Sequence, residues 1–166
     1  MPRAERPAMR DYGVPDALDG VLPWSWAEQR LDACRNFWVV TASPDARPHA
    51  MPVWGIWLPG PDRFAFSCSP NARKARNLRA NPRMTVAVDD SVECVSVEGR
   101  AHPLTGDDRE PVIASYVEKY EPDPAKRAGQ ADFLRAHAMW AMVPERAFGI
   151  IEREEEFSAR ATRWVW

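Results

Sequence analysis

The sequence predicts a mainly β domain built as a small antiparallel barrel, closed or half closed, with helices on its outside. Three observations carry this expectation. Several short β-rich runs with alternating apolar residues are joined by turns too short for crossovers; NFWVVTA and RPHAMPVWGIWL, for example, are separated by SPDA alone. One helix-like stretch follows the third run and others fall outside the set, which favours a barrel over a sandwich. No run leads into a G-x-G-x-x-G turn, which argues against a parallel βαβ fold.

Residues 1–22, rich in Pro, Arg and Asp, read as an N-terminal arm that is ordered only if something packs on it; residues 23–166 read as the barrel domain. WSWAEQRLDACR from Trp24 places Trp26, Ala27, Leu31 and Cys34 among charged residues and predicts an amphipathic helix over one end of the sheet. NFWVVTA and RPHAMPVWGIWL form a hairpin, and RFAFS is a third strand after the PGPD turn. A basic helix follows, then MTVAVDD and VECVSVEGRAH as strands with alternating Val. REPVIASYVEKY predicts a helix with Val112, Ile113, Tyr116 and Tyr120 on one face; ADFLRAHAMW continues as helix or passes into strand. MWAMVPERAFGII and ARATRWVW read as strands around an acidic turn, REEEF.

A chain of 166 residues suits one domain that can bury a core without disulfides or structural metals. Cys34, Cys68 and Cys94 are odd in number and lack any C-x-x-C spacing. This argues against a zinc site or a disulfide framework and for a reducing, cytoplasmic home. MPRAERPAMRDYG has no apolar h-region, and no run of about 18 uncharged apolar residues occurs, so neither secretion nor a membrane span is expected. Eight Trp supply core and pocket walls, and sixteen Pro mark loop ends and interrupted strands.

Formal net charge is −2, so there is no global cationic field of the kind nucleic-acid binders carry. The basic charge is local instead. From Arg63 to Val88 there are six Lys/Arg and no Asp or Glu. Within this stretch, SPNARKARNLRANPR predicts a helix with Ser69 as N-cap, Pro70 at its first position and Asn81-Pro82 as its stop. Its first turn carries Arg73 and Lys74, where unpaired N–H groups already make the helix end electropositive; each cation there costs a few tenths to ~1 kcal/mol. A solvated basic face is the simpler reading. A bound phosphate explains the placement better, because amides, dipole and two cations converge on it. Ser67 and Ser69 add hydroxyls, and Cys68 between them reads as a small filler. Nucleic acid would need a longer basic track and exposed aromatic platforms.

In RPHAMPVWGIWL, Pro52 removes a ladder donor and so belongs at an edge, a bulge or a backbone that faces a ligand. Gly55 allows close approach of another group. An edge strand carrying buried Trp54 and Trp57 is one reading; main chain freed around Pro52 and Val53 to bind a planar ring is the other.

The succession NFWVVTASPDARPHAMPVWGIW, FAFSCSPNARKARNLRANPRMTVAV, SVECVSVEGRAH, PERAFGI and ATRW resembles the pyridoxamine 5′-phosphate oxidase-like split β-barrel superfamily, nearest to its flavin- and deazaflavin-dependent oxidoreductases of actinobacterial type. The resemblance runs from about Trp24 to the C-terminus. It implies a six-stranded antiparallel split β-barrel of Greek-key, FMN-binding type, assembled as a homodimer with two cofactor sites at the subunit interface. It places the phosphate clamp on Ser67, Cys68, Ser69, Arg73 and Lys74, and the ring-binding strand on His49 through Trp54, chiefly the main chain of Pro52 and Val53 with Met51 and Trp54 beside them. Trp140 and Arg163 would be contacts from the other subunit. True pyridoxamine phosphate oxidases carry a C-terminal substrate-binding segment with Arg and His; ATRWVW departs from it, so that specific activity is not implied.

Two cofactors suit the pattern, F420 and FMN. The acidic oligoglutamate tail of F420 would use further cations, for which Arg76, Arg79, Arg3, Arg6 and Arg10 are available, and this favours F420. Haem would need an axial ligand, and none of the three His stands out. The implied function is hydride transfer to an activated double bond or quinone-like small molecule, with no nucleic-acid or membrane partner. His49 is the candidate proton donor by type, although a lone strand His is more often a packed residue. A non-catalytic flavin- or F420-binding carrier or sensor is the alternative from another class.

Overall fold

The computed structural model describes residues 1–166. Eight strands and five α-helices follow in the order β1 (Arg3–Glu5), α1 (Trp24–Ala33), β2 (Asn36–Ala42), β3 (Pro48–Leu58), β4 (Arg63–Cys68), α2 (Arg73–Ala80), β5 (Arg83–Ala87), β6 (Glu93–Leu104), α3 (Arg109–Tyr120), α4 (Arg127–Arg135), β7 (Ala138–Ile151), α5 (Glu154–Arg160) and β8 (Thr162–Val165). Six of the strands lie in the order β7-β4-β3-β2-β5-β6, and pairing of β6 with β7 closes them into an antiparallel barrel. β8 and β1 extend the sheet from β7. Because β5 returns past β4 and β3 to pair with β2, the first four barrel strands form a Greek key. The mainly β split barrel expected from the sequence is therefore the fold.

Alternation decides which side of each strand enters the barrel. Phe37, Val39 and Thr41 of β2 point inward while Trp38 points out. The interior core joins Phe37, Val39, Phe64, Phe66, Val86, Val95, Val97 and Met142; Trp24 and Leu31 of α1 and Ala75 and Leu78 of α2 also belong to it. A second core lies outside the wall, where Val112, Ile113, Tyr116 and Tyr120 of α3 and Leu134 of α4 cover Ile56, Ala65 and Ala141. The segments of β3 and β4 under that cover are buried on both faces, from Gly55 to Trp57 and from Phe64 to Phe66.

Two local readings change. The basic helix starts at Arg73, three residues later than its Ser-Pro signal suggests. Ser69 Oγ accepts the Asn71 N–H at 3.2 Å and Ser69 C=O accepts that of Ala72 at 3.0 Å, so the serine closes a separate turn that competes with the helix. The acidic REEEF segment is not a turn: Glu154, Glu155 and Glu156 form the first turn of α5, where negative charge complements the helix dipole. The undecided ADFLRAHAMW segment divides into the end of α4 and the start of β7.

The N-terminal residues pack on the β8 side of the sheet. β1 pairs with β8, and the Arg6 guanidinium donates to the carbonyls of Ala17, Ala159 and Ala161 at 2.8–2.9 Å and to that of Asp19. No helix is long and apolar enough to cross a membrane.

The register of β6 on β7 shifts between Glu98 and Gly99, and a Cβ on Gly99 would overlap the Val143 carbonyl and the Pro144 backbone. Because those neighbours are main chain in a closed sheet, Gly99→Ala is expected to destabilise the fold by about 1–3 kcal/mol, read as a lower urea midpoint; an unchanged midpoint would contradict this account of the bulge.

Candidate functional site

β3 and β4 pair only as far as Gly55 and Phe66. Beyond that pair they part: Ser67 and Cys68 continue beside β7, while Pro48–Trp54 stays paired with β2 alone. The fork leaves one edge of β3 without a partner strand, and Pro52, with no N–H to offer, lies on that segment. Trp54 is accordingly 47% exposed, whereas Trp57, under the cover of the barrel, is 3% exposed. The group that approaches Gly55 closely is the Phe64 ring of the neighbouring strand, since a Cβ there would overlap it.

Two tyrosines of α3 hold the fork. Tyr120 Oη accepts the Gly55 N–H at 3.0 Å and lies 2.7 Å from the carbonyls of both Gly55 and Arg35; Tyr116 Oη donates to the Trp54 carbonyl at 3.2 Å. Tyr120 thus bridges Gly55 to Arg35 where the β2–β3 ladder ends, and Tyr116 takes the Trp54 carbonyl where β4 parts from β3. The Trp54 ring stacks on Tyr120 at 5.1 Å with an interplanar angle of 4°, and the Arg35 guanidinium lies 5.2 Å from each ring. Burial pushes the Tyr120 hydroxyl up to about 12 and raises that of Tyr116 as well, so both stay protonated hydrogen-bonding groups at neutral pH.

On the inner side of the fork the clamp residues converge. α2 begins without a side-chain cap, and the amides of Arg73 and Lys74 have no acceptor within the chain. Arg76 and Arg79 donate to Asn71 C=O at 2.9 Å and Pro70 C=O at 2.7 Å and so brace the preceding turn. Arg73 and Lys74 make no ion pair and no side-chain hydrogen bond. His49 lies close enough to feel both: burial first, then Arg73 and Lys74, hold its imidazole below the ordinary pKa, and its enclosed Nδ1 has no partner. Cys68 sits beside Lys74 and Arg79, yet burial dominates and raises its thiol pKa, as suits a filler.

The expected site residues thus fall into two groups. His49, Met51, Pro52, Val53, Trp54, Ser67, Cys68, Ser69, Arg73 and Lys74 surround the fork. Trp140 lies under it, 4% exposed in the barrel core with its indole N–H unpartnered, and Arg163 lies away from it on β8, ion-paired with Glu5. The arginines expected to be available at the N-terminus are engaged: Arg3 with Glu5, Arg6 with backbone carbonyls, Arg10 with Asp16. Arg47, from the β2–β3 turn, lines a cavity of about 410 Å³ with Arg73 and Arg76, but Asp45 lines it too and pairs with Arg47 at 3.8 Å. Outside the fork a cavity of about 350 Å³ is walled by Trp54 and Ser67–Ser69 on the barrel side and by Tyr116, Phe133 and His137 on the helical side. Sequence reasoning missed these helical residues because the α3 face read as core; the hydroxyls of Tyr116 and Tyr120 were the available signal, since a buried tyrosine needs a partner.

A phosphorylated ring compound matches this chemistry. The anion would meet the Arg73 and Lys74 side chains and amides and the orphaned His49, and a flat ring would lie along the unpartnered β3 edge. Because burial first and the two cations after it depress the imidazole pKa, the unfolded chain takes up a proton that folded His49 resists, and this part of the stability falls as pH drops below the ordinary histidine range. NMR titration is expected to find His49 below its ordinary value in the free protein and to move it upward on Lys74→Ala or on adding inorganic phosphate; an indifferent His49 would remove the anion from this place.

The family model described as pyridoxamine 5′-phosphate oxidase matches residues 26–149. Among solved structures, a conserved hypothetical protein of Mycobacterium tuberculosis is 21% identical, with a TM-score of 0.66 over 79% of this chain and 86% of its own. An F420 reductase is 21% identical with a TM-score of 0.55, covering 72% of this chain and 94% of its own. An FAD-binding protein from Mesorhizobium loti is 16% identical with a TM-score of 0.59, covering 87% and 95%. At these identities the likeness to solved structures is one of fold. No curated protein matches the sequence.

Proposed function

The chain belongs to the pyridoxamine 5′-phosphate oxidase family, and on that premise we propose that it is an oxidoreductase that binds F420, or alternatively FMN, at the fork and reduces an activated double bond or quinone-like small molecule. The observation that carries the reading is the pair Arg73 and Lys74 at the uncapped start of α2, which make no ion pair and lie near enough to His49 of β3 to lower its pKa. Neighbours of the same fold include an F420 reductase and an FAD-binding protein, which supports a flavin-type ligand.

In this reading Lys74 and Arg73 hold the phosphate together with the first-turn amides and the Ser67 and Ser69 hydroxyls. The main chain of Pro52 and Val53 takes the polar edge of the ring. Arg47 and Arg76 lie beside Arg73, each with one internal partner, Asp45 and the Asn71 carbonyl; the donors they have left favour F420, whose tail is acidic. Once bound, the reduced ring supplies a hydride to an electron-poor carbon. His49 serves the phosphate rather than the reacting carbon, because burial and its two cationic neighbours keep it neutral and its Nδ1 lacks a partner.

A second copy of the chain would complete the site. Trp38, opposite Pro52 in the β2–β3 register, is 46% exposed; Met51 and Trp54, on the same strand as Pro52, are 45% and 47% exposed. Trp38 and Trp54 share the outer face with Pro52 and fit a partner surface rather than water; Arg163 stays the proposed contact with a partner's cofactor, a role that Trp140, buried in the core, does not suit. Sedimentation is expected to give twice the chain mass at micromolar concentration, and Trp38→Lys to give a monomer; a monomeric parent protein would contradict this part of the reading.

The direct test is titration of the protein with F420 and FMN, followed by oxidation of the reduced form by quinones and activated alkenes. Lys74→Ala is expected to weaken cofactor affinity by about 1.5–3 kcal/mol, the range for a charge-assisted contact, with folding nearly intact. Unchanged affinity would refute the clamp, and tight binding without turnover on any acceptor would favour the carrier alternative.

A further inference from the structure

The α3–α4 segment contributes a histidine that the clamp does not use. His137 follows α4 and lines the 350 Å³ cavity that Trp54 and Ser67–Ser69 bound on the barrel side. Its Nδ1 lies 2.7 Å from the Phe133 carbonyl, and its ring lies against that of Phe133 with centroids 4.0 Å apart. A carbonyl only accepts, so Nδ1 carries a hydrogen and Nε2 is the nitrogen left for chemistry. The seat is braced from below: the Arg109 guanidinium donates to the carbonyls of Leu134 and His137 at 2.8 Å and of Arg135 at 3.1 Å, tying the end of α4 to the start of α3. Gln130, whose Oε1 is buried without a partner, stands in the same wall. The cavity therefore offers a slot between Trp54 and Phe133 that His137 borders, while the same histidine also borders a smaller cavity of about 240 Å³ beside Trp140.

We propose that this cavity is the acceptor pocket of the reaction assigned above, and that His137 Nε2 binds the carbonyl oxygen of the acceptor and protonates it; the inference rests on that reading. The acceptor class is a flat conjugated carbonyl compound, an enone or a quinone. With the hydride that a bound reduced deazaflavin or flavin would supply, a carbon–hydrogen bond would form on the conjugated system and the charge would move to the carbonyl oxygen, where His137 acts. The imidazolium Nε2–H bond of His137 breaks toward that oxygen, and solvent returns a proton to Nε2. One hydride and one proton are consumed for each double bond reduced.

His137→Asn separates this role from a structural one, because the asparagine amide can still donate to Phe133 C=O while Nε2 is lost. The experiment compares the variant with the parent protein in three measurements: affinity for the cofactor, binding of menadione to protein loaded with oxidised cofactor, and single-turnover oxidation of the reduced cofactor by menadione. Expected are cofactor affinity within about twofold, menadione binding weaker by roughly three- to tenfold, and turnover slower by roughly 10²-fold, the lower range for a lost general acid. Added imidazole should restore part of the rate in His137→Ala. Turnover and menadione binding equal to the parent's, or no menadione binding by the loaded parent, would overturn the assignment of the pocket while leaving the cofactor reading intact. A parent protein that binds neither F420 nor FMN would overturn both.

Discussion

The architecture around the site depends on two tyrosine hydroxyls that take the place of a missing strand. Where the β2 and β4 ladders end on β3, the Gly55 amide and carbonyl on one edge and the Trp54 carbonyl on the other would be buried under α3 without partners, and each orphaned group of that kind costs roughly 1–3 kcal/mol. Tyr120 and Tyr116 satisfy them from the side. The barrel can therefore open at this point and still remain closed through the β6–β7 pairing on its other side. Rigidity at the fork and exposure just beyond it share one origin.

The same opening explains the electrostatics. α2 starts next to the diverging strands, so its first-turn amides face the gap rather than a capping side chain. Adding Arg73 and Lys74 there raises the local potential, and both cations add to burial in making His49 give up its proton more readily. Within the chain these charges are uncompensated, while Arg76 and Arg79 spend donors on the Pro70–Asn71 turn that sets the helix in place. An anion would relieve the helix end, the two cations and the imidazole together, which is why the proposed cofactor enters through its phosphate.

On the other side of the fork the chemistry is apolar and belongs to a different part of the chain. α3 and α4 pack on the outer face of β3, β4 and β7, and in doing so bring Phe133 and His137 opposite Trp54. One strand-end tryptophan thus separates a cationic pocket from an apolar slot. In the proposed reaction the Ser67–Ser69 strand end borders both the phosphate and the acceptor, while the helical segment borders the acceptor alone.

What the sequence determined by itself was whatever rests on local pattern. Alternation in NFWVVTA, MTVAV and VECVSV gave the strands and their inward faces, short turns made them antiparallel, and the acid-free run from Arg63 to Val88 located the cationic helix end. Local pattern also misled where side chains could choose between two nearby uses. Ser69 has the signature of a helix cap but closes a turn, and REEEF looks like a solvated loop but suits the start of a helix. Only the tertiary structure decided that Trp54 is exposed while Trp57 is buried, that the N-terminal arginines are engaged while Arg47 is not held by the arm, and that Tyr116, Phe133 and His137 face the strand fork. Those facts depend on where β3 and β4 part and on how α3 and α4 fold back over them. Contacts between residues some sixty to eighty positions apart leave no periodicity in the sequence to read.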